Sequence, residues 1–212
     1  GFEDAGGKVV TELYPSLGAQ DFVQFLSRID PSQLDAAYIV VFAGDAVRLV
    51  KQWEELGLKA KVPLLGYGTS LDDNILDAIG KPAEGALSIS LYSATTDNRE
   101  NKEFVKAIRE KTGTEPVTFH ATAWVSIQLI SKAVKDLKGE LGDPDRVAKA
   151  LRSAGEDLAT PVGRIRFDQH NQIIPPFYIR QAKIVEGKVR NVGIDELSPV
   201  PQEAVWGWWR RK

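Results

Sequence analysis

Few residues of this chain are suited to catalysis. The 212 residues include two His and no Cys, which excludes thiolate chemistry and disulfides and leaves few general bases. His120 falls near the start of a predicted helix and His170 falls in a predicted turn, DQHNQ, so structural roles are favoured for both. The motifs of phosphate-binding loops, nucleophile elbows and helical zinc sites do not occur. We therefore expect no enzyme, no cofactor and no metal site.

Two short loops contain residues that could contact a small molecule. The first follows Phe42 and contains Asp45, and the second contains Tyr67 in a polar, Gly-containing turn. Asp45 has two interpretations, as a ligand contact or as the N-cap of the following helix, because Asp is a preferred N-cap. Phe42 is favoured as a core residue, whereas Tyr67 is the better candidate for contacting a ligand.

The elements that must position these loops form one strand, loop, helix and strand unit between residues 36 and 69. YIVVF (38–42) is a continuous β-branched apolar run, which is typical of a strand covered on both faces. A helix with apolar residues at helical spacing follows and ends near Gly57, and VPLLG (62–66) predicts the next strand. Loops that follow neighbouring parallel strands open at the same edge of a sheet, where ligands bind in such folds.

The remaining pattern predicts an α/β protein. Helices are expected at about 21–29, 70–79, 98–113, 117–137 and 145–151, and strands at 8–13, 85–92, 163–168 and within 176–192, with Glu186-Gly187 as a hairpin tip. The longest of these helices is predicted from one set of apolar residues: Phe119, Ala123, Ile127, Ile130, Val134 and Leu137.

Composition restricts the partners. A net charge of -2 argues against nucleic acid, which requires a basic face. No apolar run is long enough for a membrane-spanning helix.

The absence of Met indicates a processed product or a piece of something longer. The tail, 201–212, is rich in Trp and cations, and it either anchors at a membrane interface or packs on the protein's own surface, the second being favoured.

An ordered series of segments extends from residue 1 to about residue 192. In order and spacing it resembles the substrate-binding proteins of ABC importers of the branched-chain amino acid (Leu/Ile/Val) type. The segments are GFEDAGGKVV, YPSLGAQDF, FAGDAVRLVKQWEELGLK, PLLGYG, AEGALSISLYS, DNRENKEFVKAIREKTGTEP and TPVGRIRFDQHNQ.

The resemblance implies the class I periplasmic-binding-protein fold, in which parallel sheets flanked by helices form two lobes joined by multiple crossovers. Residues 1–91 would belong to the second lobe, 92–175 to the first, and 176–200 would complete the second, before the tail at 201–212. The first lobe would be incomplete, because its opening strands and helices would lie upstream of Gly1, together with the first strand of the second lobe. The hinge would pass near Tyr92-Ser93 and Pro175-Pro176.

The resemblance also implies a ligand site in the second lobe, formed by Phe42, Ala43, Asp45, Tyr67 and Thr69. Relatives that bind amino acids often have an aromatic and an acidic residue in these loops, whereas this sequence has Ala43 and, near the acidic position, Gly68. A ligand without an amino group, such as an aromatic or aliphatic carboxylate, therefore joins amino acids as a candidate.

Two further positions depart from the family pattern. Trp124 replaces a common Tyr, and Asn171 stands where Gly is usual. Asn tolerates the left-handed backbone conformation that such a Gly would adopt, so the second replacement is expected to preserve the turn.

The function implied is that of an extracytoplasmic solute-binding protein. It would capture a small carboxylate-bearing solute by hinge closure and deliver it to an ABC permease in the membrane, without binding nucleic acid or spanning the membrane itself. Its location would be periplasmic, or extracellular with a lipid anchor. The main alternative is a ligand-sensing domain on the same fold, such as an amide-type regulator or a receptor ectodomain, and an unrecognised α/β enzyme is a weaker one.

Overall fold

Alternating strands and helices form the part of the chain that contains both predicted loops. The computed structural model describes residues 2–156 and 158–201. Its first three strands are parallel neighbours with helices between them, as the apolar runs and helical spacing predict. In chain order these elements are β1 (Ala37–Ile39), α2 (Ala43–Glu55), β2 (Leu64–Tyr67), α3 (Asp73–Ile79) and β3 (Leu87–Ser90).

Two late strands extend the same sheet. β4 (Phe177–Val185) and β5 (Lys188–Leu197) are joined by Glu186-Gly187, whose φ angles of 49° and 77° form the predicted tight turn. The strand order is β1-β2-β3-β4-β5, so the first strands and the late hairpin belong to one five-stranded sheet. The α/β class with a largely parallel sheet is therefore confirmed.

The other helices lie outside this alternation. A short α1 (Val23–Leu26) precedes β1, and three longer helices follow β3: α4 (Arg99–Thr112), α5 (Thr118–Asp136) and α6 (Pro144–Glu156). Three-residue and four-residue 3₁₀ turns lie at Pro31–Gln33, Gly68–Leu71 and Lys81–Ala83. None of the described helices is long and apolar enough to cross a membrane.

Two predicted strands are wrong. Residues 8–13 contain neither helix nor strand, and residues 163–168 contribute only the isolated bridge between Phe167 and Ile173. An apolar alternation becomes a strand only where a neighbour satisfies its backbone groups, and no described strand pairs with residues 8–13. In the nearby turn Asn171 adopts φ 64°, which confirms the left-handed conformation expected there.

The chain divides into two compact units. Unit 1 contains the described residues up to Ser90 together with Ile179–Ile194, and unit 2 contains Leu91–Tyr178 and the described residues from Asp195 onward. Each has its own apolar core, around Trp53 and Leu76 in unit 1 and around Phe104 and Val125 in unit 2.

These divisions follow the order of the predicted lobe segments. The chain passes from unit 1 to unit 2 between Ser90 and Leu91, close to the predicted boundary at 91/92. It returns to unit 1 between Tyr178 and Ile179, three residues after the predicted boundary at 175/176. The assignment of the two units to lobes stays a prediction. The predicted tail interaction concerns 201–212, of which all but Pro201 lie outside the described residues.

Candidate functional site

Both predicted loops leave the sheet at the same edge. Ile39 of β1 pairs with Gly66 of β2 in the parallel register, so the residues that follow them lie side by side. Phe42 is the N-cap of α2, and Tyr67 is the last residue of β2 and leads into the Gly68–Leu71 turn. The candidate site is therefore built by one unit from two adjacent strand ends.

Phe42 and Tyr67 form an aromatic pair at this edge. Their ring centroids are 6.3 Å apart and their planes meet at 83°, an edge-to-face arrangement. The exposed fractions are 47% for Phe42 and 46% for Tyr67, so the core role favoured for Phe42 is wrong. Tyr38 lies near enough that burial, and then the Tyr67 phenol, raise the pKa of its hydroxyl.

Ala43 begins α2 in a strained conformation. Its φ of 49° lies in the left-handed region, which costs a residue with a Cβ about 1 kcal/mol or more. Strain of this kind concentrates at ligand-contacting positions. The predicted contribution of Ala43 to the site thus coincides with a real backbone outlier.

Asp45 is occupied by contacts within its own unit. It is buried, its Oδ2 accepts a hydrogen bond of 2.8 Å from the backbone N–H of Gly18, and its Oδ1 pairs with the Arg48 guanidinium. Arg48 in turn donates from Nε to the Ala19 carbonyl at 3.0 Å. The N-cap interpretation is wrong because α2 begins at Ala43, which leaves Asp45 at the third helical position, where it fixes the 18–19 segment against α2.

The second loop is tied to the first and to the sheet. The buried Ser70 hydroxyl accepts a 3.2 Å hydrogen bond from the backbone N–H of Val41, and half-buried Thr69 lies in the same 3₁₀ turn. A Cβ placed on Gly68 would lie 2.6 Å from the Ile89 carbonyl oxygen. Only glycine allows the turn to approach β3 this closely.

A fully buried guanidinium underlies this turn. Arg180, on β4, donates from Nη2 to the Gly68 carbonyl at 2.9 Å, from Nη1 to Asp72 at 3.1 Å and from Nε to Ser88 Oγ at 3.1 Å. Asp72 and Ser88 are also buried. One side chain of the late hairpin therefore contacts the turn, the start of α3 and strand β3.

A second buried pair continues this network. Asp73 accepts hydrogen bonds from the backbone N–H of Asn191 at 2.9 Å and from its side-chain amide at 3.3 Å, and that amide also donates to the Leu71 carbonyl at 2.8 Å. Burial raises the pKa of the Asp73 carboxyl, although Asn191 and the Arg180 charge oppose the rise. The turn is thus held from two strands, β4 and β5.

The sequence interpretation missed this network. Its signal lies in β4, where Tyr178, Arg180 and Ala182 alternate as buried positions, so a charged residue occupies the inward face of a strand. The tandem Asp72-Asp73 by itself has the pattern of an acidic helix start, which the helix at Asp73–Ile79 also fits. The hydrogen bonds cross about a hundred residues of sequence, which spacing within either segment does not reveal.

The predicted hinge residues lie inside unit 2. Tyr92 is buried and packs edge-to-face on Phe104 at 5.7 Å, and the Ser93 hydroxyl lies 2.9 Å from that of Thr95. Pro175 and Pro176 are buried as well. All four residues are thus packed within unit 2, near the two ends of its Leu91–Tyr178 segment. Their role as a hinge stays a prediction.

The remaining candidate residues have structural environments. The backbone N–H of Val117 donates to His120 Nδ1 at 3.1 Å at the start of α5, and the backbone N–H of His170 donates to Asp168 at 2.8 Å in its turn. Trp124 packs on Phe104, with 5.3 Å between the ring centroids, and lines an open groove of about 690 Å³ in unit 2. Across residues 2–156 and 158–201, no cluster of three acidic or His side chains could hold a metal ion.

Comparison with known proteins assigns the class. The profile of the family described as "Periplasmic binding protein" matches residues 1–188, and the chain belongs to this family. Among curated proteins, Leu/Ile/Val-binding protein homolog 6 from Brucella melitensis is 26% identical over 196 residues, which cover 90% of this chain and 50% of that protein.

Solved structures agree with this class. An ABC transporter substrate-binding protein from Sphaerobacter thermophilus is similar with a TM-score of 0.86 and 29% identity, over 94% of this chain and 55% of that one. A solute-binding protein of an ABC transporter from Rhodopseudomonas palustris BisB5, in complex with 3,4-dihydroxybenzoic acid, has a TM-score of 0.84 and 30% identity. That likeness covers 96% of this chain and 56% of the other. The chain thus spans about half the length of the relatives it matches.

Proposed function

We propose that this chain is part of an extracytoplasmic solute-binding protein of an ABC importer, and that its ligand is a small aromatic carboxylate. The observation that carries this proposal is the half-exposed, edge-to-face pair of Phe42 and Tyr67 at the ends of two adjacent strands. Aromatic side chains at the mouth of a site offer a ligand ring both apolar area and edge-to-face partners.

The state of Asp45 favours an acid without an amino group. An α-ammonium group requires a carboxylate that remains available to it, because a buried unpaired cation is costly. Asp45 instead accepts from Gly18 and pairs with Arg48. The acidic residue of this loop is therefore used within the protein, and the aromatic pair remains to face the ligand.

The relatives support the same ligand class. The protein from Rhodopseudomonas palustris BisB5 binds 3,4-dihydroxybenzoic acid in its crystal structure and is 30% identical to this chain. The name of the Brucella melitensis relative points to branched-chain amino acids, at 26% identity. Since Asp45 is occupied, we place the aromatic acid first and a branched-chain amino acid second.

In this proposal the protein works as a carrier and not as an enzyme. The ligand is captured by hinge closure, with bending next to Tyr92-Ser93 and Pro175-Pro176, and is passed to a membrane permease. Unit 1 is the second lobe, and the protein resides in the periplasm or is held outside the cell by a lipid anchor. The relatives, which are solute-binding proteins, support this role.

A thermal-shift comparison of ligands tests the ligand class. The protein expressed from its complete coding sequence is melted with 3,4-dihydroxybenzoate, with leucine and with neither. A ligand present at about 100 times its dissociation constant stabilises the folded state by about 2.7 kcal/mol, and we expect this shift for the aromatic acid. A shift with leucine alone would contradict the aromatic assignment, and no shift with either would remove support for solute binding.

Replacement of Tyr67 by Ala tests the site. We expect weaker binding of 3,4-dihydroxybenzoate in isothermal titration calorimetry with an unchanged melting temperature, because the Tyr67 ring is half exposed and supports little of the core. Tyr14→Ala is the matched control, since Tyr14 is a more exposed tyrosine of the same unit. Equal affinities of the two variants would exclude Tyr67 from the site.

A further inference from the structure

The Gly68–Leu71 turn, which follows Tyr67, is held in place by the buried guanidinium of Arg180. Arg180 is fully buried, and three of its hydrogen bonds end on three different segments of unit 1: the Gly68 carbonyl, Asp72 and Ser88. A buried guanidinium is tolerated only when carboxylate and carbonyl partners compensate its desolvation. Because the buried guanidinium needs these partners, it restricts the positions of Gly68, Asp72 and Ser88 relative to one another.

The contact with Gly68 bears directly on the candidate site. Gly68 comes directly after Tyr67, and its carbonyl oxygen lies 2.9 Å from Arg180 Nη2. The absence of a Cβ lets the same residue sit against the Ile89 carbonyl. The backbone next to the Tyr67 ring is therefore located by a steric contact on β3 and a charge-assisted hydrogen bond from β4.

We propose that Arg180 is a positioning residue for ligand binding, which sets the place of Tyr67 and Thr69 without touching the ligand. This inference rests on the proposed function as far as ligand affinity is concerned. The geometry of the turn itself does not depend on it. Arg180 of the β4–β5 hairpin thereby positions residues of the candidate site that lie more than a hundred positions earlier in the chain.

The chemistry of the side chain matters as well as its charge. Arg presents several N–H donors in a rigid planar fork, which reach Gly68, Asp72 and Ser88 in different directions at once. Lys keeps the charge but concentrates its donors on one flexible ammonium group. Arg180→Lys therefore preserves electroneutrality with Asp72 and loses the simultaneous contacts that locate the turn.

Arg180→Lys in the protein expressed from its complete coding sequence is the test. The matched control is Arg190→Lys, which makes the same change on the next strand at a partly exposed ion pair with Asp77. Hydrogen exchange is followed by mass spectrometry in segment 67–72 and in α5. We expect exchange in 67–72 to rise about tenfold in Arg180→Lys alone, as loss of one charge-assisted hydrogen bond predicts, with α5 unchanged.

Ligand affinity gives the second readout. We expect the dissociation constant of 3,4-dihydroxybenzoate to rise about tenfold in Arg180→Lys and to stay at the wild-type value in Arg190→Lys. If exchange in 67–72 matches the control, or rises equally in α5, the positioning role is overturned. If wild type binds no aromatic acid, the proposed function fails, while the exchange result still decides whether Arg180 positions the turn.

A milder variant covers the case in which Arg180→Lys does not fold. Ser88→Ala removes the hydroxyl that accepts from Arg180 Nε at 3.1 Å and leaves the contacts with Gly68 and Asp72 in place. The expected result is a smaller rise of exchange confined to 67–72 and a smaller loss of affinity. Exchange at the wild-type rate in this segment would argue against the network as the source of the turn's position.

Discussion

The buried polar network of unit 1 contrasts with an exposed apolar helix face in unit 2. Unit 1 buries a charged network of Arg180, Asp72 and Asp73 beneath its candidate site. Unit 2 exposes apolar side chains along α5, where the exposed fractions are 69% for Phe119 and 63% for Ile127. The first arrangement fixes a loop with hydrogen bonds between distant segments. The second leaves one face of a helix largely exposed.

The helix α5 shows how this difference arises. Its buried face consists of Ala121, Val125, Leu129 and Ala133, spaced by four residues, and packs in the core of unit 2. The set that predicted the helix includes Phe119, Ala123, Ile127 and Ile130, and all four are exposed. The helix is apolar on two sides, and the described residues bury one of them. Helical spacing alone does not say which face will be covered.

The largest effect is expected from Arg180→Met in unit 1. The substitution leaves Asp72 and Asp73 buried without the guanidinium, which should lower the free energy of unfolding by about 3–5 kcal/mol. Arg109→Met in unit 2, which breaks an exposed pair with Glu115, should cost less than about 1 kcal/mol. Equilibrium urea unfolding measures both. Similar losses would show that the two units do not differ in their dependence on charge pairs.

A smaller but local effect is expected from Gly68→Ala. The new Cβ would meet the Ile89 carbonyl at 2.6 Å, so the turn must shift, at a cost of about 1–3 kcal/mol. Gly142→Ala in unit 2 is the control, because nothing lies within 4 Å of a Cβ at that position. Thermal unfolding should separate the two variants, and an unshifted melting temperature for Gly68→Ala would contradict the close approach.

The contributions of Asp73 and Asp97 to folding stability should change with pH in opposite directions. Burial raises the pKa of Asp73 above 3.8, so its contribution to stability is present below that pH and is lost as the pH rises through the raised pKa. Asp73→Asn should therefore gain stability relative to wild type between acidic and neutral pH.

Asp97 in unit 2 is the matched opposite case. The hydrogen bond and charge of Lys102 lower its pKa below 3.8, so its contribution is present at neutral pH and is lost as the pH falls through the lowered pKa. Asp97→Asn should lose stability at neutral pH and converge with wild type in acid. Thermal melts of both variants across pH measure this, and equal signs would refute the assignment of Asp73 as a carboxyl dominated by burial.

The smallest effect is expected from Ile127→Ala. Because this side chain is exposed, the free energy of unfolding should change by about 0.5 kcal/mol or less. Leu129→Ala, two residues away on the buried face of α5, should cost about 2–5 kcal/mol. The fluorescent probe ANS, which binds exposed apolar surface, should bind less to Ile127→Ala than to wild type. Unchanged ANS binding would show that this face is not accessible in solution.

The sequence determined the alternation of strands and helices and the place of the candidate site. β-branched runs and helical spacing are local properties, so they predicted β1, α2, β2 and the edge at which Phe42 and Tyr67 meet. The Glu186-Gly187 turn followed in the same way from local backbone preferences, whereas the left-handed conformation of Asn171 was expected from the resemblance to a family in which Gly is usual at that position. The strand predicted at 8–13 was wrong because a strand depends on a partner that local pattern does not specify.

Only the tertiary structure decided what each polar side chain does. Asp45 had a helix cap or a ligand as its predicted partners, yet it binds Gly18 and Arg48, because the chain brings the 18–19 segment to the start of α2. Arg180 meets Gly68 and Asp72 across a separation of more than a hundred residues. Hydrogen bonds of this range are set by which strands become neighbours in the sheet, and no pattern within either segment contains that information.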